Sequence, residues 1–183
     1  MIEQTARPTR GVTADCKRYG EPAERLFLQE FRQYHIEDVR DDPKYRNDDI
    51  DFILTKDGKR TAIDVKCDTR ALDSGNFLWE MISHGKTGWG DKTKADYLFF
   101  VYCYDDPDGL RAFDTYWLNV ARFREWLRYH PKEYRSRANV IKGEEICDIL
   151  IYDALNTFAR YPVALGGFFQ YHRNLNGLNI SKI

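Results

Sequence analysis

Two periods of apolar residues alternate along this chain, and each switch marks an element. Ala23, Phe27, Phe31 and Tyr34 recur at helical spacing, widened by Leu26 and Leu28, which predicts a first helix from Glu21 or Pro22 to Tyr34. Pro22 suits its first turn, where no N–H partner is needed. A polar connection, His35 to Asn47, follows, with a short strand around Ile36 to Val39. The period then drops to two. Ile50 to Leu54 and Thr61 to Cys67 read as strands, joined at Asp57-Gly58, the pair a two-residue hairpin turn prefers. Phe77 to Ser83 reads as a short helix, and His84 to Lys94, with three glycines, as a mobile loop. Tyr97 to Tyr104 is almost wholly apolar and predicts a central strand buried on both faces. After the turn at Asp105 to Gly109, Arg111 to Leu118 returns as a strand. Asn119 caps a helix ending near His130, with Val120, Phe123, Trp126 and Leu127 as its buried stripe. Cys147 to Tyr152 reads as a strand, Asp153 to Tyr161 as a helix, and Gly166-Gly167 opens an aromatic tail. Residues 1–17 show no period and read as an irregular arm.

The hairpin carries the candidate chemistry. Side chains alternate across a strand, so Asp64 and Lys66 share one face while Ile63 and Val65 take the other. Asp51 opposes its apolar neighbours on the first strand, and pairing brings Asp51, Asp64 and Lys66 together. Two close carboxylates repel, which raises the pKa of at least one. A divalent cation relieves that repulsion: Mg²⁺ takes hard oxygen ligands, commonly one or two carboxylates plus substrate phosphate and water. Such a centre, with a lysine beside it, suits phosphodiester hydrolysis. Asp49 shares the face of Asp51 by period two and stays open as the ligand in its place. Glu80 is a further acid that either approaches the metal edge or caps the surface.

Asp51 followed thirteen residues later by Asp64-Val65-Lys66 resembles the motif of the PD-(D/E)XK nucleases, with Ile50 where that motif has proline. Glu24, on the first helix, is similar to the helix glutamate of archaeal-type Holliday junction resolvases, and phage nucleases share the pattern. The resemblance covers roughly Tyr19 to Tyr104. It implies an α/β fold of restriction-endonuclease type, a central mixed sheet flanked by helices, and Mg²⁺ or Mn²⁺ as cofactor. It implies Asp51, Asp64 and the Val65 backbone carbonyl as metal ligands, Glu24 assisting metal or water, and Lys66 orienting the attacking water. DNA is the implied partner. The similar resolvases are dimeric, which leaves a homodimer open, but they are short, and nearly eighty residues follow Tyr104 here. That length leaves room for a restriction, repair or phage-type enzyme.

Composition narrows this only in part. At 43% hydrophobic and 15% aromatic the chain can bury a core. One domain is expected: an arm (1–18), a nuclease-like core (19–118) and a C-terminal helical, aromatic and basic extension (119–183). Net charge is −1, mild evidence against nucleic acid, though acids at a metal site and bases at its rim can cancel. The four cysteines form no CxxC and lack the late cluster of an iron–sulfur nuclease; the four histidines show no ligand spacing. No apolar run approaches a membrane span and the N-terminus has no apolar leader core, so a cytoplasmic protein is expected.

Phosphate and base contacts are expected from Lys86, Trp89, Lys92 and Lys94 in the glycine loop. Arg122 and Arg128 belong to a basic stretch, Arg122 to Lys142, with seven Lys/Arg against two Glu. Ordinary solvated faces explain much of the same pattern. The leading expectation is a metal-dependent DNA endonuclease; the alternatives are a non-cleaving nucleic-acid binder on the same scaffold and an interaction module whose acidic hairpin is structural.

Overall fold

The computed structural model describes residues 16–83, 85–141, 144–151 and 168–183. A short π turn (Cys16–Gly20) leads into α1 (Glu21–Glu30), β1 (His35–Asp38), α2 (Pro43–Asn47), β2 (Phe52–Lys56) and β3 (Lys59–Asp68). Then come α3 (Ala71–Ser74), β4 (Phe77–Ser83), β5 (Lys86–Thr87), α4 (Trp89–Lys92), β6 (Tyr97–Asp106), β7 (Gly109–Asn119) and α5 (Val120–Tyr129). Strands β8 (Arg135–Ile141), β9 (Glu144–Ile151) and β10 (Phe169–Asn179) follow, with a closing 3₁₀ turn (Ile180–Lys182). The fold is mixed α/β, as expected. Six strands form the main sheet in the order β1-β2-β3-β6-β7-β10, antiparallel except for the β3–β6 pair. A second sheet runs β5-β4-β9-β8, all antiparallel.

The parallel β3–β6 pair places the hairpin beside the central strand. Residues 98–103 of β6 are all buried, which is why that stretch is apolar on both faces. One face of the sheet packs under α1: Ala23, Leu26, Phe27 and Phe31 meet Phe52, Leu54, Ile63, Val65 and Phe99. Phe27 stacks on Phe52 at 5.1 Å. The other face carries Ile53, Leu98 and Phe100 against β4 and α5, through Phe77, Trp79, Phe123 and Trp126. The Asp57-Gly58 turn has positive φ at both residues (52° and 76°), the geometry a two-residue hairpin needs and glycine tolerates. Asn119 caps α5 by accepting from the Arg122 N–H at 3.0 Å, and all four expected stripe residues are buried.

Three expectations are corrected. Phe77–Ser83 is a strand, not a helix: Phe77 and Trp79 alternate into the core while the backbone pairs with β9. The connection before β2 holds the short helix α2, started by Asp42 accepting from the Lys44 N–H and by Pro43. Within the expected glycine loop lie β5 and α4. Gly88 and Gly90 serve close approach there, since a Cβ on either would lie 2.6 Å or less from β4 atoms. Beyond residue 118, β10 pairs with β7 and extends the main sheet at that edge. The helix expected at Asp153 to Tyr161, the Gly166-Gly167 turn, Lys142 and most of the N-terminal arm lie outside the described residues.

Candidate functional site

Asp51 sits one residue ahead of β2 and is fixed by its own backbone. Its N–H donates to the Ile63 carbonyl at 2.9 Å, and its carbonyl accepts from Val39 N–H at 3.0 Å. Its side chain then does what a neighbouring strand would have done, Oδ2 accepting from the Val65 N–H at 2.7 Å. The N–H and C=O of one extended residue leave the strand on the same side, so the Val65 carbonyl also faces Asp51.

Asp64 and Lys66 lie on the other side of β3 from Val65. Asp64 is 1% exposed. Lys66 Nζ donates to its Oδ1 at 2.6 Å, while Oδ2 is buried with no hydrogen-bond partner. Burial pushes the Asp64 carboxyl well above the usual carboxylate range; the Lys66 ammonium opposes this, and the nearby Asp51 carboxyl reinforces it. Asp51 and Asp64 are therefore in mutual reach. Burial pulls the Lys66 pKa down, but Asp64, Asp51 and Asp49 together hold it above its ordinary value, so the lysine stays charged. The ammonium also lies 5.3 Å from the Trp89 ring.

Glu24 approaches from α1. Burial raises its pKa, as does the Asp51 charge, while Arg40 lowers it. Arg40 holds Glu24 Oε2 in a short ion pair and clasps Asp38 with Nε at 2.8 Å and Nη2 at 2.5 Å. Its guanidinium lies over the Phe52 ring at 5.0 Å. Arg40 escaped the sequence reading because it belongs to no period. The signal available was a single cation among Glu37, Asp38, Asp41 and Asp42.

The other predicted residues divide. Asp49 has φ 48° and binds Lys92 at 2.8 Å. Glu80 accepts weakly from the Trp89 N–H at 3.3 Å, at the start of α4, so it is engaged there in the structure. Lys94 pairs with Asp48 at 2.7 Å. Lys92 and Lys94 thus bind acids of this chain, and Trp89 packs against Trp79 at 5.1 Å instead of standing free on a loop. Lys86, Arg122 and Arg128 are exposed, the two arginines on α5. Of these six, Trp89 stands beside Lys66 at 5.3 Å and Lys92 beside Asp49 at 2.8 Å.

Among the described residues no three His, Cys, Asp or Glu side chains stand together as a metal group. Asp51, Asp64 and the Val65 carbonyl remain: two carboxylates, one bearing a buried oxygen without a partner, and a backbone oxygen. Hard oxygens few in number could hold an ion that keeps water and substrate oxygens, as Mg²⁺ and Mn²⁺ do. No helix among the described residues is long and apolar enough to cross a membrane.

No protein-family model matches the chain, and no curated protein or solved structure is detectably similar to it.

Proposed function

We propose that this chain is a metal-dependent DNA nuclease with a core of restriction-endonuclease type, hydrolysing phosphodiester bonds as an endonuclease. The observation that carries the reading is the Asp64 carboxylate: buried, in reach of Asp51, paired to Lys66 through one oxygen and unpartnered at the other. A buried carboxylate oxygen in that state is costly unless a ligand completes it.

In this reading Asp51, Asp64 and the Val65 carbonyl hold Mg²⁺ or Mn²⁺. The ion, when bound, neutralises phosphate charge and acidifies water. Lys66, held charged, orients the attacking water with one of its three N–H donors and stabilises charge developing on the phosphate oxygens. Asp51 would be one of the groups holding the ion, and the bond its Oδ2 accepts from Val65 N–H fixes its direction. Glu24 assists water placement once Arg40 releases it. The mixed sheet with a parallel β3–β6 pair beside the hairpin, and α1 packed on its opposite face, supports the fold assignment.

The test is cleavage of linear, nicked, branched and single-stranded DNA with Mg²⁺ or Mn²⁺. Asp64→Ala and Lys66→Ala are expected to lower the rate by on the order of 10²–10³ or more while the fold survives. Wild-type rates in either variant remove that residue from the mechanism.

A non-cleaving nucleic-acid binder is favoured by one observation: Arg40 holds Glu24, so no third acid joins the pair. In that case Asp51 and Asp64 share a proton as a structural pair, and Mn²⁺ titration finds no carboxylate-dependent site.

A further inference from the structure

A cleft of about 480 Å³ opens at the start of β3, where that strand meets the first turn of α5. Pairing of β3 with β6 begins at Ile63 and Tyr97, so Lys59 to Thr61 lie ahead of it. Four cations from three places in the chain line the cleft: Lys59 and Arg60 on β3, Lys94 ahead of β6, and Arg124 on α5. Asp96 is the one acid among the described lining residues, and its Oδ2 already accepts from the Ala62 N–H at 2.8 Å. Ala95 and Val120, which also line the cleft, belong to the core on the Lys66 side of the sheet. Arg60, Ala62, Asp64 and Lys66 share that face of β3 by period two, and the four residues from Arg60 to Asp64 span about 13 Å of strand.

These cations are held in two ways. Arg124 places Nη2 on the carbonyls of Gly90, Thr93 and Asp91 at 2.8, 2.8 and 3.1 Å, with its guanidinium 5.9 Å from the Trp79 ring. Carbonyls fix its direction without cancelling its charge. Burial pulls its pKa down, and the charge of Asp91 opposes this. The Lys59 side chain has no hydrogen bond or ion pair among the described residues. Arg60 and Lys94 are paired, to Glu37 and to Asp48 at 2.7 Å. Both cations are mostly exposed, at 55% and 69%, and pairs of that kind are weak enough to exchange for a better anion. Asn119, Val120 and Ala121 bring the first turn of α5 to the same cleft. The Val120 and Arg122 N–H groups are taken by the Asp96 carbonyl and Asn119 Oδ1, so the helix adds the positive end of its dipole rather than these donors.

Charge and geometry then select a ligand. A phosphate presents oxygens in several directions and accepts charge-assisted bonds from arginine and lysine on different elements at once, whereas a carboxylate presents one flat edge. The volume falls within the range of about 300–1,000 Å³ typical of ligand sites, more than an isolated ion fills. We propose that this cleft binds a phosphate, and that the phosphate belongs to the backbone of a DNA strand running along the Arg60–Lys66 face to the metal site. The choice of a strand rests on the nuclease reading above; the phosphate site does not. Such a contact fixes the position of the strand a few nucleotides from the scissile bond and carries no sequence information.

The test uses the full chain in EDTA, where no metal-dependent cleavage occurs. Inorganic phosphate is titrated by calorimetry at constant ionic strength, and a DNA duplex is titrated over a range of salt concentrations. Lys59→Gln removes a cation that holds nothing else in place, so its unliganded Tm should match the wild type. It is expected to weaken phosphate and DNA binding by about 5-fold each and to reduce the slope of log K against log salt by about 1. Arg124→Gln should lose at least as much, but it also strips three carbonyls of their donor, so Lys59→Gln decides the matter if that variant unfolds. Lys182→Gln is the control. It deletes the same charge next to Ser181, which accepts from the Leu110 N–H at the end of β7 remote from Asn119, and should change neither affinity. Phosphate and DNA affinities that are the same in Lys59→Gln and Lys182→Gln overturn the site. Lost phosphate affinity with unchanged DNA binding overturns the strand and leaves a free phosphate as the ligand. Failure of the nuclease reading looks different: the slope difference stands, while no protein cuts DNA when Mg²⁺ is restored.

Discussion

Two acidic clusters border the start of β2, one on the α1 face and one on the α4 face, and they meet their charges on opposite terms. Asp38 and Glu24 share the Arg40 guanidinium, whose planar fork reaches both and rests on Phe52. Asp38 is half-exposed, and Arg40 holds its carboxyl below the usual range. Among the described residues, Asp64 and Asp51 have only the single ammonium of Lys66 between them. Asp64 is buried, and burial drives its carboxyl up in spite of that ammonium. Each cluster sets two carboxylates against one cation. The first keeps Asp38 in water with both its oxygens on a planar fork, whereas the second is buried, and a buried carboxyl with a raised pKa beside a charge partner is a candidate for function.

The sharpest way to break the comparison is to empty the second cluster of its cation. Lys66→Met keeps the stem packed on Trp89 and leaves two carboxylates facing each other. A loss of about 3–5 kcal/mol is expected at neutral pH, the cost of leaving a buried charge unpaired. The loss should shrink in acid, where Asp64 takes up a proton. Urea unfolding at two pH values measures it, and a change below about 1 kcal/mol would mean the pair is open to solvent.

Removing the anion should act in the opposite direction. Asp64→Asn keeps the shape, leaves Asp51 to face Lys66, and is expected to stabilise the metal-free protein by about 1–2 kcal/mol, as substitutions at strained functional sites often do. The pH dependence gives the sign. Asp64 has a folded pKa above its unfolded value of 3.8, so the folded state binds the proton more tightly. The stability this contributes is full below pH 3.8 and is lost as pH rises toward the folded pKa. Wild type should therefore weaken across the acid-to-neutral range by more than Asp64→Asn does. Mn²⁺ should reverse the order: at about 100 times its Kd it adds roughly 2.7 kcal/mol to the wild type and nothing to the variant. Thermal melts with and without Mn²⁺ decide it; equal shifts in both proteins place the ion elsewhere.

Much of this cluster could be read from residue order because it depends on local rules. The Asp57-Gly58 turn sets the register, the register decides which side chains share a face, and Asp64-Val65-Lys66 follows from period two. The central strand β6 and the stripe of α5 were legible for the same reason. Where the sequence misled, tertiary contacts overrode local pattern. Phe77–Ser83 alternates too loosely to separate helix from strand, and β9, nearly seventy residues on, settles the matter. The pairing of Lys92 with Asp49 and of Lys94 with Asp48, over forty residues upstream, is likewise not visible in residue order. Arg40 belongs to no period, and its ion pair with Glu24 exists only once α1 has packed on the sheet.

The smallest expected effect tests the Arg40 cluster. Arg40→Gln removes the guanidinium from Asp38 and Glu24 while keeping a side chain over Phe52. Asp38 is half-exposed, so solvent screens most of the pair and the loss should stay under about 1 kcal/mol. Its sign with pH is the reverse of Asp64: Asp38 has a folded pKa below its unfolded 3.8, so its stability is present above that value and lost as pH falls through the folded pKa. The variant should lack that loss in acid. Glu24 makes the experiment informative beyond stability. Without Arg40 the remaining influences, burial and the Asp51 charge, both raise its pKa, so Glu24 binds a proton more readily in the variant. If Glu24 serves the metal site, cleavage by Arg40→Gln should need a higher pH than wild type while its Mn²⁺-bound stability at high pH stays the same. A pH–rate profile that overlays the wild type would remove Glu24 from the site and leave Asp51, Asp64, Val65 and Lys66 as the whole of it.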